Sequence, residues 1–71
     1  MKISYNKLWK LLIDCEMKRK DLKEVTGLSS SSMAKLGKND PVSLDILMRI
    51  CEVLNCQIGD IMEFIKHEVK D

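Results

Sequence analysis

The segment Gly27-Leu28-Ser29 constrains the fold of this chain more than any other part of its sequence. Glycine adopts the left-handed conformation that ends a helix without steric cost, and serine is a favoured cap for the start of the next helix. The apolar residues on either side lie at helical spacing and are Leu22, Val25, Met33 and Leu36. The pattern therefore predicts two short helices that meet at a tight corner, with Leu28 packed inside it.

The four serines Ser29–Ser32 admit two interpretations. Serine-rich segments are often flexible linkers. A linker, however, does not require Leu28 and Met33 at set distances from a glycine. We therefore predict that the serines form the cap and first turn of a helix, and that residues 18–37 form a helix-turn-helix. A plain helical hairpin, in which Ser29 acts only as a cap, is the alternative that this pattern leaves open.

The rest of the chain also shows helical periodicity. Apolar residues at three- and four-residue spacing predict a helix over residues 5–17 and a buried helix that begins at the cap Ser43. A last helix is predicted from the stripe Ile58, Ile61, Met62 and Ile65. No segment indicates a strand, and 71 residues allow one domain. The sequence thus predicts a single all-α domain, residues 1–71, of five short helices, near the lower size limit for an independent core.

Charge is distributed unevenly along the chain. Residues 1–38 contain nine basic and four acidic side chains, a balance of +5, whereas residues 39–71 contain three basic and seven acidic ones, a balance of −4. A small domain with one basic half suits a polyanionic partner. A solvated, lysine-rich helix face would give the same count, so the charge alone leaves both interpretations open.

Several classes of function are not expected from the composition. The cysteines Cys15, Cys51 and Cys56 lack the paired spacing of a zinc site, and His67 is the only histidine, so we predict packing cysteines, no metal and no cofactor. No nucleophile–histidine arrangement or phosphate-binding glycine loop indicates an enzyme, and no small-molecule ligand is evident. Without a long apolar run or a leader sequence, the chain is expected to be cytoplasmic, with no membrane partner.

Two segments carry a resemblance to a known family: "MKRKDLKEVTGLSSSSMAKLGKN" and "VSLDILMRICEVLNCQIGDIME". Together, from about Ser4 to Ile65, the chain resembles the Cro/repressor-type (XRE-like) helix-turn-helix regulators of bacteria and phages. The resemblance implies a compact five-helix, lambda-repressor-like domain that binds double-stranded DNA. It further implies a transcriptional repressor that binds a palindromic operator as a homodimer through the helix starting near Ser29. The alternative is a protein-interaction module of the same fold, such as the antidote half of a toxin pair.

The resemblance also assigns residues. Base-contacting positions correspond to Ser30, Ser31 and Lys35, and backbone-contacting positions correspond to Arg19, Ser29, Lys38 and Asn39. A lysine donates well to guanine O6 and N7, whereas serine hydroxyls discriminate less between bases. Two positions depart from the family pattern. Lys18 replaces the usual Thr or Ser cap, and Lys23 replaces an alanine at a close helix crossing, where its stem is expected to snorkel.

The end of the chain suggests a dimer interface. Phe64 falls off the inward stripe of the predicted last helix, and Val69 follows it. Together with Ile3 or Tyr5 these side chains are predicted to form a second apolar surface for a homodimer. The alternative is that Phe64 covers the first helix of its own domain.

Overall fold

A computed structural model describes residues 1–66 of the protein. Its elements are β1 (Lys2–Ser4), α1 (Asn6–Asp14), α2 (Arg19–Thr26), α3 (Ser30–Gly37), α4 (Leu44–Leu54), a 3-10 helix (Ile58–Asp60) and β2 (Glu63–Ile65). The mostly helical architecture and the helix pair α2–α3 agree with the prediction. The all-α, five-helix description is matched only in part, because the described residues contain four α-helices, one 3-10 helix and a two-stranded sheet.

The error lies at the end of the chain, where the predicted last helix is a 3-10 helix followed by β2. β2 pairs antiparallel with β1, and the partners are Lys2 with Ile65, Ile3 with Phe64 and Ser4 with Glu63. Phe and Ile favour strands, but three-residue strands are too short to show an alternating pattern in the sequence. Only Ile61 of the predicted inward stripe is fully buried, whereas Ile58 and Ile65 are 43% and 47% exposed.

The core joins all the helices. It consists of Tyr5, Leu8, Leu12, Leu22, Leu28, Leu36, Leu47, Ile50 and Ile61. Each aliphatic side chain removed from water in this way contributes about 1.5–3 kcal/mol. Leu28 fills the corner between α2 and α3 as predicted and is 5% exposed. Val25, which was expected to point inward, is 54% exposed, and Thr26 is buried in its place with its hydroxyl donating to the Leu22 carbonyl.

Local chemistry at the corner matches the sequence. Gly27 has φ +71° and ends α2 in the left-handed conformation. The Ser29 side chain then accepts a hydrogen bond from the Ser32 N–H at 3.1 Å, as an N-cap does. At the other end of α2, Lys18 cannot supply the usual hydroxyl. Instead, its backbone N–H donates to the Asp21 carboxylate at 2.9 Å, which ties the residue before the helix to its first turn.

Tyr5 connects the start of the chain to the loop that follows α3 through two hydrogen bonds. Its backbone N–H donates to Asn39 Oδ1 at 3.0 Å, and its hydroxyl donates to the Asp40 carbonyl at 2.8 Å. Asn39 adopts φ +58°, a left-handed conformation that asparagine tolerates. Tyr5 is 1% exposed, and this burial raises the pKa of its phenol. The prediction that Tyr5 contributes to a second apolar surface is therefore wrong.

Candidate nucleic-acid interface

One face of α3 is open to solvent. Ser30, Ser31, Ala34 and Lys35 are exposed, while Leu36 on the opposite side is fully buried. The side chains predicted to contact bases therefore share one accessible surface. Ala34 lies in the middle of that surface and was missed by the sequence analysis. Its spacing of three residues from Ser31 and four from Ser30 is the signal that would have identified it.

The serine hydroxyls bond mainly to one another. Ser29 Oγ lies 3.0 Å from the hydroxyls of both Ser31 and Ser32, in addition to its capping bond. Ser29 is therefore a structural cap, and its contact with DNA stays a prediction. A hydroxyl can both donate and accept and can rotate, so Ser31 can exchange its partner for a ligand atom.

Lys23 lies at the N-terminal end of α3. Its ammonium donates to Ser30 Oγ at 2.7 Å, and the side chain is half-buried, so its stem snorkels as expected. The contact adds a positive charge where the helix dipole of α3 is already positive. Phosphate groups bind readily at such helix ends.

Arg19 extends along the other end of α3. Its guanidinium carbon lies 3.8 Å from the centre of the Trp9 ring, a cation–π contact worth about 0.5–1 kcal/mol at an exposed site. A Cβ on Gly37 would lie 3.4 Å from Arg19 Nη1, so the guanidinium also borders the α3 backbone. Trp9 thus holds Arg19 in place, a role that the sequence analysis did not assign to it.

Lys38 and Asn39 follow α3 directly. Lys38 is the exposed C-cap residue, where a cation complements the negative end of the helix dipole. Asn39 uses its side-chain oxygen to bind the Tyr5 N–H, so it has a structural role that its predicted contact with DNA did not anticipate. The side chain is nevertheless exposed.

The cations around α3 form no ion pair with a carboxylate among the described residues. Across residues 1–66 the one ion pair is Arg49–Asp45 on α4, with its nitrogen and oxygen 3.2 Å apart. No acidic residue occurs from Ser29 to Asn39. The arrangement therefore presents small hydroxyl and methyl groups, flanked by Arg19, Lys23, Lys35 and Lys38. Such a surface can approach a polyanion closely and contact groups set into a groove.

The cysteines and carboxylates offer no comparable site. Cys51 and Cys56 are half-buried against the core, and burial, together with the neighbouring Cys51, raises the pKa of the Cys56 thiol to about 11. Cys15 was also predicted to be a packing residue, but it is exposed, so that prediction is wrong for Cys15. Within the described part of the chain, no group of three or more histidine, cysteine, aspartate or glutamate side chains could hold a metal ion. None of the helices described is long and apolar enough to span a membrane.

Comparison with known proteins gives two matches. A family model of the Cro/C1-type HTH DNA-binding domain matches residues 7–67. The crystal structure of transcriptional regulator VanUg, form II, is similar to this chain with a TM-score of 0.86 and 61% sequence identity, and the match covers 87% of this chain and 83% of that chain. No match was found among curated proteins.

Proposed function

The chain belongs to the family of Cro/C1-type helix-turn-helix DNA-binding domains, and we propose that it is a transcriptional repressor that binds a palindromic operator as a homodimer. The observation that carries the proposal is the exposed face of α3, which is flanked by four cations and free of carboxylates. The likeness to transcriptional regulator VanUg supports the regulatory role. We propose that residues 1–71 act as a single domain, without enzymatic activity and in the cytoplasm.

In this proposal α3 enters the major groove. Eight residues give α3 a length of about 12 Å, similar to the groove width of about 12 Å. Ser30 and Ser31, in the first turn, face base edges. Ala34 offers its methyl group to a thymine methyl, and Lys35 donates to guanine O6 and N7. Occupation of the operator then excludes other proteins from the same DNA.

In this proposal the remaining polar residues contact the DNA backbone. Arg19 and Lys38 neutralise phosphates near the C-terminal end of α3, and Ser29 and Asn39 donate hydrogen bonds to phosphate oxygens. These contacts fix the position of α3 on the duplex but do not select a sequence. Each neutralised phosphate steepens the dependence of log K on log salt by about 0.9.

The readout is tested by Lys35→Ala. At the preferred site, obtained by selection from random duplexes, we expect a loss of about 1–3 kcal/mol and relaxed choice at one base pair. Lys10→Ala, which removes an exposed lysine from α1, is the matched control and should bind as wild type does. Equal losses on the selected site and on random DNA would show that Lys35 contacts only phosphate.

The backbone contact is tested by Arg19→Ala. The variant should bind all sequences more weakly, and its salt slope should fall by about 0.9, because one phosphate loses its counter-charge. Arg49→Ala is the matched control, since Arg49 is exposed on α4 and paired with Asp45. Fluorescence anisotropy over a range of salt concentrations measures both slopes. If the Arg19→Ala variant has the same salt slope as the wild-type protein, Arg19 does not contact a DNA phosphate.

The dimer interface is proposed at the two-stranded sheet. Phe64 is 63% exposed and pairs across the sheet with the half-buried Ile3, and Ile65 is exposed beside it. Phe64 therefore does not cover α1 as the alternative suggested. Val69 lies outside the described residues. Two-fold pairing here would repeat α3 at one turn of DNA, roughly 34 Å, and would require a palindromic site.

Another exposed apolar surface competes for this role and is formed by Leu44 and Met48 of α4 together with Ile58. We expect Phe64→Asp to shift sedimentation toward the monomer and to remove cooperative binding to two half-sites. Met48→Asp, which adds the same charge to the other surface, should retain both. If the two variants behave in the opposite way, the interface lies on α4.

The exposed surface on α4 also favours a second candidate, an interaction module that binds a protein such as a toxin. A salt titration with mixed-sequence DNA separates the two functions. A DNA-binding regulator should show affinity that falls steeply with salt, whereas a protein-only module should show no binding.

A further inference from the structure

The start of the chain lies beside the end of α3. Residues of β1, including Lys2, and of the loop after α3, including Lys38, line the same open depression of about 450 Å³. The two lysines are 36 positions apart in the sequence, and both are exposed. The fold therefore adds to α3 a cation that lies outside the helix-turn-helix.

Two sets of bonds fix this arrangement. The Tyr5 backbone and hydroxyl bind Asn39 and the Asp40 carbonyl, at 3.0 and 2.8 Å. β1 is also paired with β2, where Lys2 lies opposite Ile65. Lys2 is only three residues from the buried Tyr5. Its backbone position relative to the loop is thus set by the fold.

The electrostatics of this location favour an anion only because lysines are present. The C-terminal end of α3 is the negative end of its dipole and would repel a phosphate. Lys38, as the C-cap, and Lys2 together supply two positive charges. Asp40, exposed in the same loop, supplies one negative charge. The depression therefore keeps a net positive charge close to the helix end.

We propose that Lys2, together with Lys38, binds a phosphate of the DNA backbone at the C-terminal end of α3. The inference rests on the proposed DNA-binding function and extends the contact surface from the helix-turn-helix to the N-terminal strand. This second anchor lies about 12 Å from Ser30 along α3, so it fixes the angle of the helix in the groove. Tyr5 couples the anchor to α3 through its bonds to the loop.

Salt-dependent binding of a mixed-sequence duplex tests the inference. Lys2→Ala should lower the slope of log K against log salt by about 0.9, because one phosphate contact is lost. Lys2→Arg keeps the charge and should keep the slope. Lys10→Ala makes the same charge change in a separate depression beside Asp14 and Asp60, and should also keep the slope. Thermal melting of each variant establishes that the fold is intact.

Lysine acetylation read by mass spectrometry gives an independent measurement. DNA should protect Lys2 and Lys38 from the reagent and leave Lys10 reactive. Wild-type binding with normal salt dependence, combined with an unchanged Lys2→Ala slope, would overturn this inference and leave the proposed function standing. A wild-type protein without salt-sensitive DNA binding would overturn both.

Discussion

Leu36→Ala is expected to lower the free energy of unfolding by about 2–5 kcal/mol and to abolish DNA binding. Leu36 is 0% exposed and is the one fully buried residue of α3, so the cavity would open beneath the proposed reading helix. A core of this size rarely supplies more than about 3–5 kcal/mol in total. The variant should therefore be largely unfolded at room temperature, as measured by urea denaturation followed by circular dichroism.

Two variants control this experiment. Leu44→Ala makes the same chemical change at a side chain that is 63% exposed, and should change stability by less than about 0.5 kcal/mol. Leu36→Met conserves most of the volume and should cost less than about 1.5 kcal/mol while retaining DNA binding. Equal stability of the Leu36→Ala and Leu44→Ala variants would contradict the position of Leu36 in the core.

The helix-turn-helix could be predicted from the sequence because its determinants are local. Gly27 ends one helix by its own conformational preference, and Ser29 starts the next by bonding to an N–H three residues later. The apolar spacing around them then indicates which sides of α2 and α3 are buried, apart from Val25, which is exposed while its neighbour Thr26 is buried. Local chemistry of this kind is readable without knowledge of the rest of the fold.

The sheet and the buried tyrosine could not be predicted in this way. β1 and β2 are three residues long and are separated by most of the chain, so each is stabilised by a partner that the local sequence does not reveal. The same holds for Tyr5, whose apolar spacing predicted only a helix face. Its two hydrogen bonds reach residues 34 and 35 positions away.

The candidate interface was predictable in part. The excess of basic residues in the first half of the chain was compatible with a polyanionic partner, but it did not show which lysines lie together. Lys23 was recognised as unusual from the family pattern, yet its bond to Ser30 follows from the packing of α2 on α3. Trp9 beneath Arg19 and Lys2 beside Lys38 are likewise products of tertiary structure.

Gly27→Val is expected to destabilise the protein by about 1–3 kcal/mol and to weaken DNA binding with it. Gly27 has φ +71°, and a Cβ placed on it would meet no atom within 4 Å. The cost therefore comes from the backbone conformation, which a β-branched residue adopts poorly, and not from a steric clash with neighbours. Relaxation of that strain would alter the direction of the chain between α2 and α3 and so displace the exposed face of α3.

Gly59 provides a matched control for this backbone argument. A Cβ there also meets no atom within 4 Å, but the residue does not have positive φ, so Gly59→Val tests the added side chain without the strain. Gly27→Asn, a residue that tolerates the left-handed region, should recover most of the stability and the DNA affinity. Thermal melting and anisotropy on the same samples separate unfolding from misplacement of α3. If the Gly27→Val and Gly59→Val variants have the same melting temperature, and Gly27→Val binds DNA as the wild-type protein does, the left-handed turn does not position α3.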